Sequence, residues 1–92
     1  MITDIYNSIK QSLKTPSYSY CKVLTQNTEK LRRKVLEEAY ELIKETLHKP
    51  LNKKRMLNEF CDLLFHITVI IYQYKIQPKH IKQEMASRKQ PN

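Results

Sequence analysis

Residues 53 to 74 constrain this chain more than any other stretch. Met56, Leu57, Phe60, Leu64, Ile67 and Ile71 recur at helical spacing and mark one apolar face, yet Leu63, Phe65, Val69, Ile70 and Tyr72 spread apolar character nearly all the way round. Such a helix has to be covered on most sides. Its most apolar run, Leu63 to Tyr72, contains His66 and falls well short of the about 20 residues that cross a bilayer, so the cover is protein and no membrane is expected. A chain of 92 residues makes one small domain, residues 1–92, whose own core is marginal. The expectation is therefore a homodimer or a higher homo-oligomer.

One polar stripe survives on this helix: Glu59, Asp62 and His66, at i, i+3 and i+7. Aspartate is a poor helix former, and Asp62 stands among Phe60, Cys61, Leu63 and Leu64. A second acidic pair, Glu38 and Glu41, lies upstream in Lys34-Val35-Leu36-Glu37-Glu38-Ala39-Tyr40-Glu41, with 17 residues between Glu41 and Glu59. The chain has only nine acidic residues, and Glu37, Glu38, Glu41, Glu59 and Asp62 account for five of them. Residues three apart on a helix share a face, with Cβ atoms about 5–6 Å apart. If the two helices pack antiparallel, four carboxylates converge, and they cannot all stay ionised without a counter-charge. A hard divalent cation, Mg²⁺ or Mn²⁺, takes oxygen ligands of this kind.

A plainer reading makes Glu37, Glu38 and Glu41 a solvated face paired with Arg33, Lys34 and Lys44. It is the weaker one, because Glu38 borders the apolar stripe of Leu31, Val35, Ala39, Leu42, Ile43 and Leu47, and because a second pair recurs on the most apolar helix. Glu37 and Tyr40 point further away. His66 fits a core or supporting histidine better than a ligand of a hard cation.

The rest of the chain reads as all-α: no strand alternation is sustained, glycine is absent, and the prolines punctuate rather than interrupt the periodic segments. Helices are expected over Asp4 to Leu13, with Asp4 as cap; Cys21 to Leu24; Glu29 to His48, capped by Thr28; Lys53 to Tyr74; and Pro78 to about Lys89, carrying Ile81 and Met85, with Pro78 at the first turn. Pro16 to Tyr20 form an ordered loop. The formal charge of +8 favours an anionic partner, a phosphate group above all. Lys34, one turn before Glu38, is the cation best placed to meet it. Lys53, Lys54 and Arg55 oppose the macrodipole at a helix start, as an anion contact or, more simply, a solvated turn. Nucleic acid is not the expected partner, since the helix that would serve for recognition is too apolar. There is no Gly-rich phosphate loop, no Cys-x-x-Cys, no His-Glu-x-x-His and no nucleophile elbow. Cys21 and Cys61 make no disulfide framework and suit a reducing setting. Met1 to Asp4 carry no signal-peptide pattern, and a cytoplasmic location is expected.

Three strings, Ser19-Tyr20-Cys21-x-x-Leu24, Lys34-Val35-Leu36-Glu37-Glu38-Ala39-x-Glu41 and Glu59-x-x-Asp62-Leu63-Leu64-Phe65-His66, resemble the MazG-like all-α nucleoside triphosphate pyrophosphohydrolases. Within that superfamily the likeness is greatest to the phosphoribosyl-ATP pyrophosphohydrolases of histidine biosynthesis, over about residues 17 to 89. The resemblance implies an oligomeric bundle of four to five helices, with metal held by Glu38, Glu41, Glu59 and Asp62, and hydrolysis of the α–β phosphoanhydride of phosphoribosyl-ATP to phosphoribosyl-AMP and pyrophosphate. It implies catalytic roles for Glu38 and, in orienting water, Glu37. Lys34 and Lys22 would contact phosphate, and Ser19 and Tyr20 the ribose or base. A house-cleaning nucleoside triphosphate pyrophosphohydrolase and a silent, basic helical binding protein are the alternatives. The chain departs from the family pattern at Leu36, where glycine is usual, at Cys21, where threonine is, and at Phe60 and Cys61, where small residues are. Leu36 is expected to alter helix packing.

Overall fold

The computed structural model describes residues 1–15 and 19–88. Among them are five α-helices and no strand: α1 (Ile2–Lys14), α2 (Tyr20–Gln26), α3 (Thr28–Glu45), α4 (Lys53–Gln73) and α5 (Pro78–Ser87). The ends follow local chemistry. Asp4 lies in the first turn of α1, where its charge suits the helix dipole, and Met1 occupies the cap without a side-chain hydrogen bond. The helix stops at Lys14, and Thr15 is extended, as a residue before proline must be; the loop expected over Pro16 to Tyr20 lies in large part outside the described residues. Ser19 caps α2, Asn27 rather than Thr28 caps α3, and Asn52 caps α4, each accepting a backbone N–H at 3.1–3.2 Å. Helix α3 ends at Glu45, three residues before the expected His48, and Thr46 and Leu47 close it with backbone bonds to Ile43 and Lys44.

The C-terminus of α4 shows how a chain without glycine ends a helix. Lys75 takes the left-handed conformation, φ 61°. Its N–H donates to the carbonyl of Tyr72 at 3.0 Å and that of Ile76 to Ile71 at 2.9 Å, the paired bonds of a Schellman motif.

Helices α3 and α4 form an antiparallel hairpin, with Arg55 against Glu45 near the turn and Arg32 near Tyr74 at the far end. Helix α2 runs alongside α4 in the same direction, Tyr20 over His66 and Thr25 over Gln73. The core lies at the far end of the hairpin: Ile9, Cys21, Leu24, Leu31 and Val69 are buried, with Ile5, Leu13, Phe65, Ile70 and Tyr72 packed on them. Thr68 is buried with its hydroxyl donating to the Leu64 carbonyl at 2.7 Å. No helix among the described residues is long and apolar enough to cross a membrane.

Toward the turn the hairpin is bare, and several sequence expectations change there. Ile43 and Leu47 of the α3 stripe are exposed, while Glu45 is buried in their place. Leu57, Phe60 and Ile67, assigned to the inner face of α4, are exposed, and α4 buries His66, Thr68 and Val69 instead. Met85 of α5 is exposed, as is Cys61. The expected end of α5 near Lys89 falls outside the described residues. Leu36 is 70% exposed, so it does not disturb the packing of α3 on α4 within one chain.

Candidate metal and nucleotide site

Midway along the hairpin, α3 presents Glu38 and α4 presents Glu59 and Asp62. One carboxylate oxygen from each lies within 4.8 Å of the other two. Glu38 and Glu59 are half-buried and Asp62 is exposed, so the polar stripe of α4 passes from open at Asp62 to buried at His66. Partial burial pushes the Glu59 carboxyl above its ordinary range; its hydrogen bond with Glu38 and the charges of Glu38, Asp62 and Glu41 push it the same way.

The arrangement fits a small hard cation. Oxygens that ligate one Mg²⁺ at about 2.1 Å stand no more than about 4.2 Å apart, and side-chain rotation closes the gap. Glu41, the fourth expected ligand, is not one of the three. It lies close enough for its charge to reach Glu59, but its carboxylate is 4.0 Å from Lys44. Glu37, as expected, points outward, 3.6 Å from Lys34, which is itself half-buried.

Above the acidic group stands the start of α2. The Tyr20 hydroxyl lies 2.9 Å from Nε2 of His66, and Nδ1 of His66 lies 2.8 Å from the main-chain carbonyl of Asp62. The Tyr20 ring is stacked with Phe65 at 6.2 Å between centroids, and His66 meets both rings edge-on. Burial pushes the Tyr20 phenol up; Lys34 pulls it down, while Glu38, Glu37 and Asp62 push it up, so all four are near neighbours in charge. The structure thus brings Tyr20, Lys34, Glu37, Glu38, Glu59 and Asp62 to one place. Ser19 and Lys22 have structural tasks as well: the Ser19 oxygen accepts the Lys22 backbone N–H at 3.2 Å, and the Lys22 ammonium donates to the Thr15 carbonyl.

The sequence reading missed Glu45. Its carboxylate is buried, pairs with Arg55 at 3.1 Å, and leaves Oε1 without a hydrogen-bond partner among the described residues. Arg55 is thereby tied to α3 rather than to an outside anion. The available signal was position: Glu45 lies one turn beyond Glu41 and two beyond Glu38, on the same side of α3.

Residues 3–89 match the phosphoribosyl-ATP pyrophosphohydrolase family. A phosphoribosyl-ATP pyrophosphatase of Lactiplantibacillus plantarum is 34% identical over 87 residues, covering 92% of this chain and 80% of that protein. One from Listeria innocua is 31% identical over 90 residues, covering 96% and 84%. The histidine biosynthesis bifunctional protein HisIE of Staphylococcus epidermidis is 30% identical over 91 residues, covering 97% of this chain and 42% of that longer protein.

Proposed function

The chain belongs to the phosphoribosyl-ATP pyrophosphohydrolase family, and from that premise we propose how its residues carry the hydrolysis of phosphoribosyl-ATP to phosphoribosyl-AMP and pyrophosphate in histidine biosynthesis. The convergence of Glu38, Glu59 and Asp62 on one point is the observation that carries this reading. Those three residues hold a divalent cation, Mg²⁺ or Mn²⁺, with Glu41 drawn in from its contact with Lys44 or acting through its charge. Such a cation, when bound, neutralises the polyphosphate and acidifies the water that attacks phosphorus.

The remaining roles fall to the protein. Lys34, half-buried beside Glu37, takes a phosphate oxygen, and substrate entry draws it from the 3.6 Å contact. Glu37, released from Lys34, orients the attacking water. Tyr20 and Ser19 face the nucleoside end, Ser19 through the hydroxyl hydrogen that its capping bond leaves available. Lys22 contacts phosphate from the same helix.

The bare half of the hairpin supports a homodimer or higher assembly. Leu36, Tyr40 and Ile43 follow i, i+4, i+7 along α3, with Leu47 in the turn just beyond it, and Leu57, Phe60 and Ile67 follow i, i+3, i+10 along α4; all seven are exposed. A second copy of the chain covers both stripes. The site opens beside this face.

The test is pyrophosphate release with Mg²⁺ or Mn²⁺ present. Phosphoribosyl-ATP is the expected substrate, and common nucleoside triphosphates are turned over poorly; the reverse order would sink the assignment of substrate. Glu59→Gln and Asp62→Asn are each expected to lower kcat at least about a hundredfold, the scale of losing a principal source of transition-state charge stabilisation.

A further inference from the structure

We infer that His66 is a positioning residue that fixes the Tyr20 hydroxyl as a hydrogen-bond acceptor toward the site, so that this corner takes a donor from the nucleoside and turns phosphate away. The inference rests on the nucleotide reading of the site given above.

The argument begins at Asp62. A main-chain carbonyl only accepts, so the 2.8 Å contact requires His66 to carry a proton on Nδ1. In the neutral ring Nε2 is then an acceptor, and at 2.9 Å its partner, the Tyr20 hydroxyl, must donate to it. The hydroxyl's only hydrogen is committed. What the phenol oxygen still offers is lone pairs.

Little can undo this arrangement. His66 is only 6% exposed, and edge contacts with Tyr20 at 5.7 Å and Phe65 at 5.2 Å hold its plane. Tyr20 is held in turn by its stack with Phe65 and by the Ser19 cap at the start of α2. The same His66 ring donates to the main-chain carbonyl of Asp62, whose carboxylate belongs to the acidic group, so the acceptor is placed relative to the acidic group through one side chain.

A nucleotide has two kinds of surface. Phosphate oxygens accept hydrogen bonds and carry negative charge; ribose hydroxyls and base amino groups donate. An acceptor-only oxygen beside Glu38 and Asp62 repels the first and pairs with the second. Lys34, which also acts on the phenol, stands ready for the phosphate. The corner therefore sets which way round the substrate lies: nucleoside toward Tyr20, phosphoanhydride toward Glu38, Glu59 and Asp62.

Equilibrium binding of AMP and of inorganic pyrophosphate to the full chain with Mn²⁺ present tests this. Tyr20→Phe and His66→Ala are each expected to weaken AMP about fivefold to tenfold, the worth of one hydrogen bond, and to leave pyrophosphate affinity within about twofold of wild type. The Tyr20→Phe/His66→Ala double variant should lose no more than either single one. His66→Gln, whose amide oxygen reaches the place of Nε2, should restore AMP binding. A merely structural role would weaken both ligands together and track the melting temperature. Undiminished AMP affinity in Tyr20→Phe, equal loss of both ligands, additive losses, or a wild type that binds no AMP would each overturn the inference. A wild type that binds AMP but does not hydrolyse phosphoribosyl-ATP would overturn only the substrate reading on which it rests.

Discussion

Glu59 sits between Glu38 and Asp62, and without a cation its carboxyl keeps a proton at a pH where an ordinary glutamate has lost it. The consequence for stability has a definite sign. The folded chain holds that proton more tightly than the unfolded chain, so Glu59's contribution to metal-free stability is greatest below the usual glutamate range and falls as pH rises through the raised value. Thermal melts in chelator across that range should show the decline, and Glu59→Gln should flatten it. With Mn²⁺ added, the wild type should instead gain stability as pH rises, because the ligands must be ionised to bind. The same melts separate a metal site from a structural carboxyl pair, for which Mn²⁺ would change nothing. At this scale much was legible in the sequence: i, i+3 spacing on two helices was enough to pair Glu38 with Glu59 and Asp62. Glu41 was not resolved, because spacing fixes a face but not the rotamer, and Lys44 one turn on competes for its carboxylate. Glu45 was missed because a glutamate next to a lysine, Lys44, at a helix end ordinarily faces water.

Helix ends account for most of the difference between the expected and observed elements. Periodicity placed all five helices, but caps depend on which of two neighbouring polar residues reaches the free N–H groups, and Asn27 reaches them in place of Thr28. Two ends can be probed directly. Lys75 pays a steric cost of about 1–2 kcal/mol for its left-handed backbone. Lys75→Gly removes it and gives back about 0.5–1 kcal/mol through the greater freedom of the unfolded chain, so a net gain of about 0.5–1 kcal/mol is expected by urea denaturation. At the other end of α4, Arg55 is largely exposed while Glu45 is 3% exposed. Arg55→Ala leaves a buried carboxylate without its cation; after discounting for solvent around the arginine, the loss is about 1–2 kcal/mol, a fall in Tm on the order of 5–10 °C. Replacing Glu45 and Arg55 together by leucine should recover most of that loss, because no charge is then left buried.

The molecule as a whole is divided by its packing into a covered end and a bare end. The covered end holds the core of Ile9, Cys21, Leu24, Leu31 and Val69, and the bare end holds the exposed stripes of α3 and α4. Sequence periodicity showed that α4 was too apolar for one small domain but could not show which side stayed open, since apolar residues occur nearly all round it. α2 decides that: Tyr20 and Thr25 engage His66 and Gln73 and so claim the polar stripe of α4, leaving Leu57, Phe60 and Ile67 outward. An exposed apolar surface of this extent is the face that the proposed assembly would cover. Sedimentation equilibrium should therefore return a dimer or larger species, with a Tm that rises with protein concentration. Ile43→Glu combined with Phe60→Glu places one carboxylate on each stripe and none in the core, so it should yield a folded monomer of lower Tm. A wild type that sediments as a monomer, with a Tm independent of concentration, would defeat the assignment of this face. If the double variant is monomeric yet retains wild-type turnover, the face assembles the chains but each site works unaided; a loss of turnover with helicity preserved shows that the neighbouring copy helps to shape the ground around Glu38 and Asp62.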